Sequence, residues 1–418
     1  MAKIVFIMDA EEGHLIASFG LAHSLKENGH SVIFLSIIDN QELIEEQGFE
    51  VYPLFENIYY KGYKKEYKRL APAPGAPRIK TGALQDAYTR HINASMNGAL
   101  DKILSTLNAD LYIVSFFLQM DMLVMHYRYG INPVIFTSAF RDKGVTAAIE
   151  CSTYLGNVSP DEIAAFIEFI ENQGIDLASI SQLTAPFNSF AEIMVCPQEF
   201  DIGDQATGAN VYYIGPSIRK VSQEQDIFSL YQVPADKKII YGSLGSQLVR
   251  YGETCKIIFE KIITAMTSDE LGDLHLVLSV GAEFDIESLD KIPSNVSVVR
   301  WVPQIDVLKV AAAAIIHGGL GSVKECIYFG VPMIVFPLGF DQPANAKRVA
   351  YHKLGIAGNI ETVSAYDIRL YLLELMTNAD IKSGIRRMQT IFHERETSQI
   401  GVRVIESLLK KHEKLIYH

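Results

Sequence analysis

The stretch WVPQIDVLKVAAAAIIHGGLGSVKECIYFGVPMIVFPLGFDQPANAKR spans residues 301–348. Ala312–Ile316 is apolar at every position, the pattern of a strand buried on both faces, and Met333–Phe336 repeats it. Between them lies a glycine-rich turn, and a helix is expected to begin near Ser322. Strand, turn, helix and strand in that order make a βαβ unit, which requires a parallel sheet.

The same grammar extends outward. In the second half, strands are expected at Lys238–Gly242, His275–Ser279, Val296–Arg300 and Ile356–Ile360. In the first half they are expected at Ala2–Met8, Ser31–Ile37, Phe49–Leu54, Asp110–Val114 and Pro133–Thr137, with helices over Leu15–Glu27, Gln41–Gln47 and Phe117–Tyr129. The polar text around Pro216–Lys237 separates the halves. The expected organisation is α/β, with two Rossmann-like parallel-sheet domains at 1–217 and 238–380, a linker at 218–237, and closing helices at 381–418. Two segments interrupt the alternation. Glu56–Ala83 is expected as a long loop, and Lys143–Phe190 as an excursion that is helical around Pro160–Asn172. Long insertions of this kind often wall a ligand site.

Composition narrows the class. Of 418 residues, 49% are hydrophobic and 21% charged, which makes a globular chain with ample core. A net charge of −12 excludes a general nucleic-acid binder, which needs a basic face. The local exception is KGYKKEYKR (61–69), whose five basic residues could meet an acidic ligand or an anionic membrane surface in transient contact, or form a solvated loop. Four scattered cysteines without C-x-x-C spacing fit free thiols in a reducing compartment and provide no zinc site. The opening MAKIVFIMDAEEGH reads as a first strand and not a signal peptide, and no apolar run is long enough to span a membrane. A cytoplasmic monomer or homodimer is expected.

In an open parallel sheet, ligands bind beyond the carboxyl ends of the strands. Unusual residues gather there in the second half: Ser246, then Trp301, Val302 and Gln304, then His317 to Gly319, then Asp341 and Gln342. Gly319 and Gly321 allow close backbone approach before a helix N-terminus, which suits phosphate, and His317 offers it a hydrogen bond. Glu325, one turn beyond Ser322, could accept both hydroxyls of a ribose. Trp301 offers a face to a nucleobase, and Asp341 with Gln342 can hold a polyol. These parts describe a nucleoside diphosphate carrying a sugar. A Walker A loop is excluded because no Gly-Lys-Ser/Thr occurs, and no G-x-G-x-x-G follows the first strand.

The residues W-x-P-Q at Trp301, H-x-G-x-x-S-x-x-E at His317, G-V-P-M-x-x-x-P and D-Q-x-x-N at Asp341 resemble the donor signature of family 1 UDP-glycosyltransferases. With the two-domain layout the resemblance covers essentially the whole chain. It implies a GT-B fold, two such domains facing each other across a cleft, with the last helix crossing back to the first domain. It further implies that Trp301 stacks on uracil while Gln304 and Glu325 hold the ribose. His317, Gly321 and Ser322 would hold the diphosphate with help from Ser246, and Asp341 and Gln342 the sugar. His-Gly-Gly-Leu-Gly-Ser, with Leu320 and Gly321, is closer to bacterial and animal relatives than to plant ones, and bacterial members also use dTDP-deoxysugars. No metal is expected, and no other cofactor beyond the UDP-sugar co-substrate.

His14, in the turn after the first strand, resembles the family's catalytic base. Its place at a helix N-terminus is expected to lower its pKa and favour the neutral form. The aspartate that usually orients this histidine is expected at the end of a later strand, in DLYIVSFF, where Ser115 stands instead. Either His14 works without a charged partner, or Asp121 or another carboxylate takes that place, or the protein is a poor catalyst. The function these readings imply is inverting transfer of a hexose, glucose first, from a UDP-sugar to a hydrophobic hydroxylated small molecule such as a phenolic, polyketide or carotenoid. The alternatives are a dTDP-deoxysugar transferase and a nucleotide-sugar-binding partner protein with little catalysis.

Overall fold

Two sheets, each built only from parallel pairs, organise the computed structural model. It describes residues 1–70, 82–156, 158–177, 179–203, 210–221, 223–246 and 248–416. The first sheet holds β1 (Lys3–Ile7), β2 (Ser31–Ser36), β3 (Glu50–Pro53), β4 (Leu111–Ser115), β5 (Val134–Thr137), β6 (Glu192–Met194) and β7 (Val211–Tyr213), in the order β3-β2-β1-β4-β5-β6-β7. The second holds β8 (Lys238–Ser243), β9 (Leu274–Ser279), β10 (Val296–Val299), β11 (Ala311–Ile316), β12 (Met333–Val335) and β13 (Gly355–Ala357), in the order β10-β9-β8-β11-β12-β13. Both are therefore doubly wound. In each, the chain leaves its first strand toward one edge and returns to begin the other half. Two switch points result, one between β1 and β4 and one between β8 and β11, and both open at strand carboxyl ends.

Burial explains why the strands read so plainly. β1, β4 and β11 have helices on both faces, so Ile4, Val5, Phe6, Ile113, Val114, Ile315 and Ile316 are wholly enclosed. Each sheet carries a separate apolar cluster on each face. The final helix, Ile400–Ile416, leaves the second sheet and packs Val402, Ile405 and Leu408 with Phe6, Phe19 and Phe34 of the first. The expected crossing back is thus present, and the fold is GT-B. All four cysteines are free and buried. No helix among the described residues is long and apolar enough to cross a membrane.

The first insertion differs from expectation, and the second is helical over Pro160–Glu171 as expected. Within 56–83, Tyr63–Leu70 is a helix, and a further helix starts at Gly82 and runs to Met96; residues 71–81, which include all of APAPGAPR, lie outside the described residues. Among its described residues the excursion 143–190 carries the α-helices Ala147–Leu155, Pro160–Glu171 and Ile180–Thr184 and a 3-10 turn at Ala185–Asn188. Pro160–Glu171 starts on a capping box, in which Ser159 and Glu162 satisfy each other's exposed backbone N–H groups.

Candidate active site

The expected site residues gather at the two switch points. At the first, β1 ends at Ile7 and the chain turns through Asp9 into the helix Glu12–Glu27, which places His14 in its first turn. The His14 Nδ1–H donates to Asp9 at 3.0 Å from Oδ1 and 3.1 Å from Oδ2. Asp9 Oδ1 also accepts the Glu11 backbone N–H at 2.8 Å. Ser115, at the end of the neighbouring β4, donates its hydroxyl to Asp9 Oδ2. Asn40 fixes the same turn from the other side by donating to the Asp9 carbonyl at 3.1 Å. With Nδ1 carrying the proton, Nε2 is the basic nitrogen of His14.

Two expectations are corrected here. The carboxylate partner is not Asp121. That residue lies buried in the helix Gln119–Tyr129, where its Oδ1 takes the His91 Nε2–H at 2.8 Å and the Ser95 hydroxyl at 3.0 Å, and Tyr59 closes the network on His91 Nδ1 at 2.8 Å. Asp9 supplies the partner from the first strand itself, and Ser115 serves it as a hydrogen-bond donor. The pKa of His14 also moves opposite to the helix-terminus argument. Burial opposes the imidazolium, but Asp9, reinforced by Glu11 and Asp341, outweighs it and raises the pKa above the ordinary 6.5. For Asp9, burial pushes upward, and the pairing with His14, Ser115 and the Glu11 N–H overcomes it, so its carboxyl titrates below the usual range. Phe117 lies flat on His14, with ring centroids 4.1 Å apart and planes within 3°, and its own side chain is 55% exposed.

At the second switch point, Ser243-Leu-Gly-Ser246 leaves β8 and His317-Gly-Gly leaves β11. The His317 imidazole is sandwiched between the two loops. A Cβ on Gly245 would lie 2.6 Å from its ring, and one on Gly319 2.6 Å from Nε2. Burial drops the His317 pKa to about 4, and its Nδ1 is buried without a hydrogen-bond partner. The ring is thus neutral and spaces the two loops, and beside it the peptide N–H groups that open the helix Leu320–Tyr328 form an end suited to an anion. Gly318 (φ +91°) turns the chain there, with Val335 so near that a Cβ would clash at 2.6 Å.

Around this turn stand the other expected residues. Trp301, just past β10, is 65% exposed and presents a bare indole face. Val302 is buried beneath it in the core, so only its peptide group can meet a ligand. Gln304 is fixed by three partners: Tyr241 donates to its Oε1 at 2.8 Å, and its Nε2 donates to Ser322 Oγ at 3.4 Å and to Glu325 Oε2. Burial raises the Glu325 pKa, with Arg219 from the linker 3.9 Å from its other oxygen. Asp341 stands at the N-cap position of the helix Gln342–Tyr351 without capping it through its side chain, accepts from Asn345 at 2.8 Å and has its pKa raised by burial. Gln342 Oε1 accepts the Leu338 and Gly339 N–H groups at 2.7 and 3.1 Å, so its carbonyl shapes the loop, and only its amide nitrogen is left to face a polyol. Ser246 and Gly321 are exposed at the rim. Arg250 Nη2 of the second domain lies 3.3 Å from Glu11 Oε1 of the first, so the two switch points face one another.

Comparison with known proteins adds a lineage. A family model described as UDP-glucoronosyl and UDP-glucosyl transferase matches residues 167–408. NDP-glycosyltransferase YjiC of Bacillus subtilis (strain 168) is 27% identical over 248 residues, 59% of this chain and 60% of that protein. Another B. subtilis relative, the uncharacterized UDP-glucosyltransferase YdhE, is 29% identical over 207 residues. The chain thus spans 60% of the length of the first of these relatives and 50% of the second. Zeaxanthin glucosyltransferase of Pantoea ananas is 24% identical over 422 residues, covering 95% of this chain and 93% of its own. Among solved structures, the glycotransferase of kitacinnamycin superposes with a TM-score of 0.74 at 23% identity, over 97% of this chain and 98% of that one. CalG4, the calicheamicin glycosyltransferase, gives 0.71 at 20% identity, over 99% and 98%. These two likenesses concern the fold.

Proposed function

The chain belongs to the UDP-glucoronosyl and UDP-glucosyl transferase family, and from that premise we propose that it transfers a hexose, glucose first, from a UDP-sugar to a hydroxyl of a hydrophobic small molecule. The reaction proposed is inverting and needs no metal. One observation carries it: a histidine with its Nδ1–H on a buried carboxylate, facing Asp341 across the cleft. The acceptor hydroxyl gives its proton to His14 Nε2 while its oxygen forms the new bond to the anomeric carbon. The bond from that carbon to the diphosphate oxygen breaks, and UDP leaves with the electron pair. Asp9 holds the imidazolium that forms, and Ser115 and the Glu11 N–H hold Asp9.

Trp301 and the Gln304–Glu325 pair suit a nucleoside, and the N-terminus of Leu320–Tyr328 suits its diphosphate. The exposed rings of Phe117 and Phe340 favour an apolar acceptor. A relative over nearly the whole length is named for glucosylation of zeaxanthin, which points the same way. The rival, a binding protein without catalysis, drew on a missing carboxylate that Asp9 supplies. The decisive assay follows UDP-glucose with a panel of phenols and hydroxylated lipids, with EDTA present and a dTDP-sugar arm beside it. Wild type should form a β-linked glucoside from the α-linked donor, and His14→Ala should lose on the order of 10²–10⁴-fold in kcat. Product from dTDP-sugars alone, or an equal rate in the mutant, would sink the proposal.

A further inference from the structure

The donor must enter a cleft that is already acidic. The carboxylates of Asp9, Glu11 and Asp341 all act on His14, and a diphosphate brought among them needs a cation close by. Arg250, in the short 3-10 turn Leu248–Arg250 that follows the Ser243–Ser246 loop, is placed for this. Its side chain is only 6% exposed, yet it is thinly partnered. One Nη2 contact reaches Glu11 Oε1 across the cleft at a long 3.3 Å, and Nε is buried with no partner. The guanidinium is held by aromatic rings instead, 5.3 Å from the Tyr67 centroid on the first-domain side and 5.8 Å from that of Phe340, the residue before Asp341. Beyond the Glu11 contact and a hydrogen bond to the Tyr67 side chain, ring faces hold the guanidinium in place and leave its Nε–H unspent. A buried donor without an acceptor costs free energy that a structure rarely tolerates without use.

Resting on the nucleotide-sugar reading, we propose that Arg250 is a donor-binding residue that exchanges Glu11 for the diphosphate when the donor binds. Glu11 is then the internal stand-in for the anion, and it lies on the same turn as Asp9 and His14, so occupation of the donor site is communicated to the base. Because Tyr67 belongs to the helix Tyr63–Leu70, the exchange also engages the basic segment noted in the sequence, which makes a second cross-cleft pair through Lys65 and Glu283 at 3.1 Å.

The test is calorimetric titration of the full chain with uridine, UDP, UDP-glucose and UDP-glucuronate. Wild type, Arg250→Ala, Arg250→Lys and Glu11→Gln are compared, with thermal melts checking that each is folded. Arg250→Ala should weaken UDP and UDP-glucose by about 10- to 100-fold and leave uridine unchanged. Arg250→Lys should recover part of the loss, and Glu11→Gln should bind UDP more tightly than wild type, because the competing carboxylate is gone. Unchanged UDP affinity in Arg250→Ala would overturn the assignment, as would an equal loss for uridine, which marks a merely structural role. A loss confined to UDP-glucuronate would place a sugar carboxylate there and overturn the diphosphate assignment. If wild type binds neither uridine nor UDP, it is the nucleotide-sugar reading itself that fails.

Discussion

At the scale of single residues, the pairing of His14 with Asp9 has a measurable signature in pH. The basic form of His14 exists above its pKa, and Asp9 raises that pKa above 6.5 against the pull of burial. Activity should therefore fall on an acid limb that lies above the ordinary histidine value. Asp9→Asn removes the raising cause and leaves burial, so the limb should move to lower pH while the plateau drops on the order of 10²-fold. Asp121→Asn is the control. Its carboxylate serves His91 and Ser95, so it should lower the melting temperature and leave the limb where it was. A limb that follows Asp121 would refute the assignment. Asp9 was hidden in the sequence for a physical reason. It meets His14 because the chain turns from strand into helix, and no helical or strand period relates residues on opposite sides of such a turn. The acidic text DAEE was visible, but its first member counts only once Ser115 on β4 is known to lie beside it.

Among the elements, the strands with two covered faces were legible because nothing polar interrupts them, as in β1 and β11. The three-residue β6 and β7 were not. β6 begins at Glu192, a buried carboxylate that disguises a strand as a loop; it is satisfied by the Thr137 hydroxyl at 2.6 Å and by Arg141. The helix Tyr63–Leu70 was missed although Tyr63, Tyr67 and Leu70 recur at helical spacing, because the basic residues of the segment read as a solvated loop; its tyrosines face the other domain's Arg250 as well as one another. The loops after β8 and β11 were legible as glycines, though the reason for one of them was not. Gly245 takes φ +85° and lies against the His317 ring, and neither fact has a sequence signal. Gly245→Ala should therefore cost about 2–4 kcal/mol of stability, from a strained backbone plus a displaced buried ring. Denaturant unfolding measures this directly. UDP affinity should fall with it, since the same ring spaces the two loops; an alanine variant as stable and as tight as wild type would show that His317 can move freely.

On the scale of the whole molecule, the two sheets meet through two different kinds of contact. The cleft mouth is joined by long or exposed ion pairs, Arg250 with Glu11 and Lys65 with Glu283. The opposite side is joined by a buried ion pair and by hydrogen bonds from side chains to backbone carbonyls. Arg348 of the second domain donates to Asp201 from Nε at 2.8 Å and stacks 4.4 Å over Phe140, Lys324 donates to the Val195 carbonyl at 2.7 Å, and His352 lies 3.0 Å from the Phe200 carbonyl. Buried charges are costly to separate from their partners, so this side should stay docked while the mouth opens. Arg348→Ala strands the Asp201 carboxylate and should destabilise by about 3–5 kcal/mol, whereas Arg348→Met with Asp201→Leu should recover most of that loss. Neither change touches Trp301, Gln304 or the helix Leu320–Tyr328, so UDP affinity should survive in the single mutant below its unfolding range. Turnover should not, because His14 and Asp341 sit on opposite domains and their register depends on this seam. Loss of UDP affinity in step with turnover would show that the donor site is not confined to the second domain, and that the seam supports the nucleotide and not only the alignment.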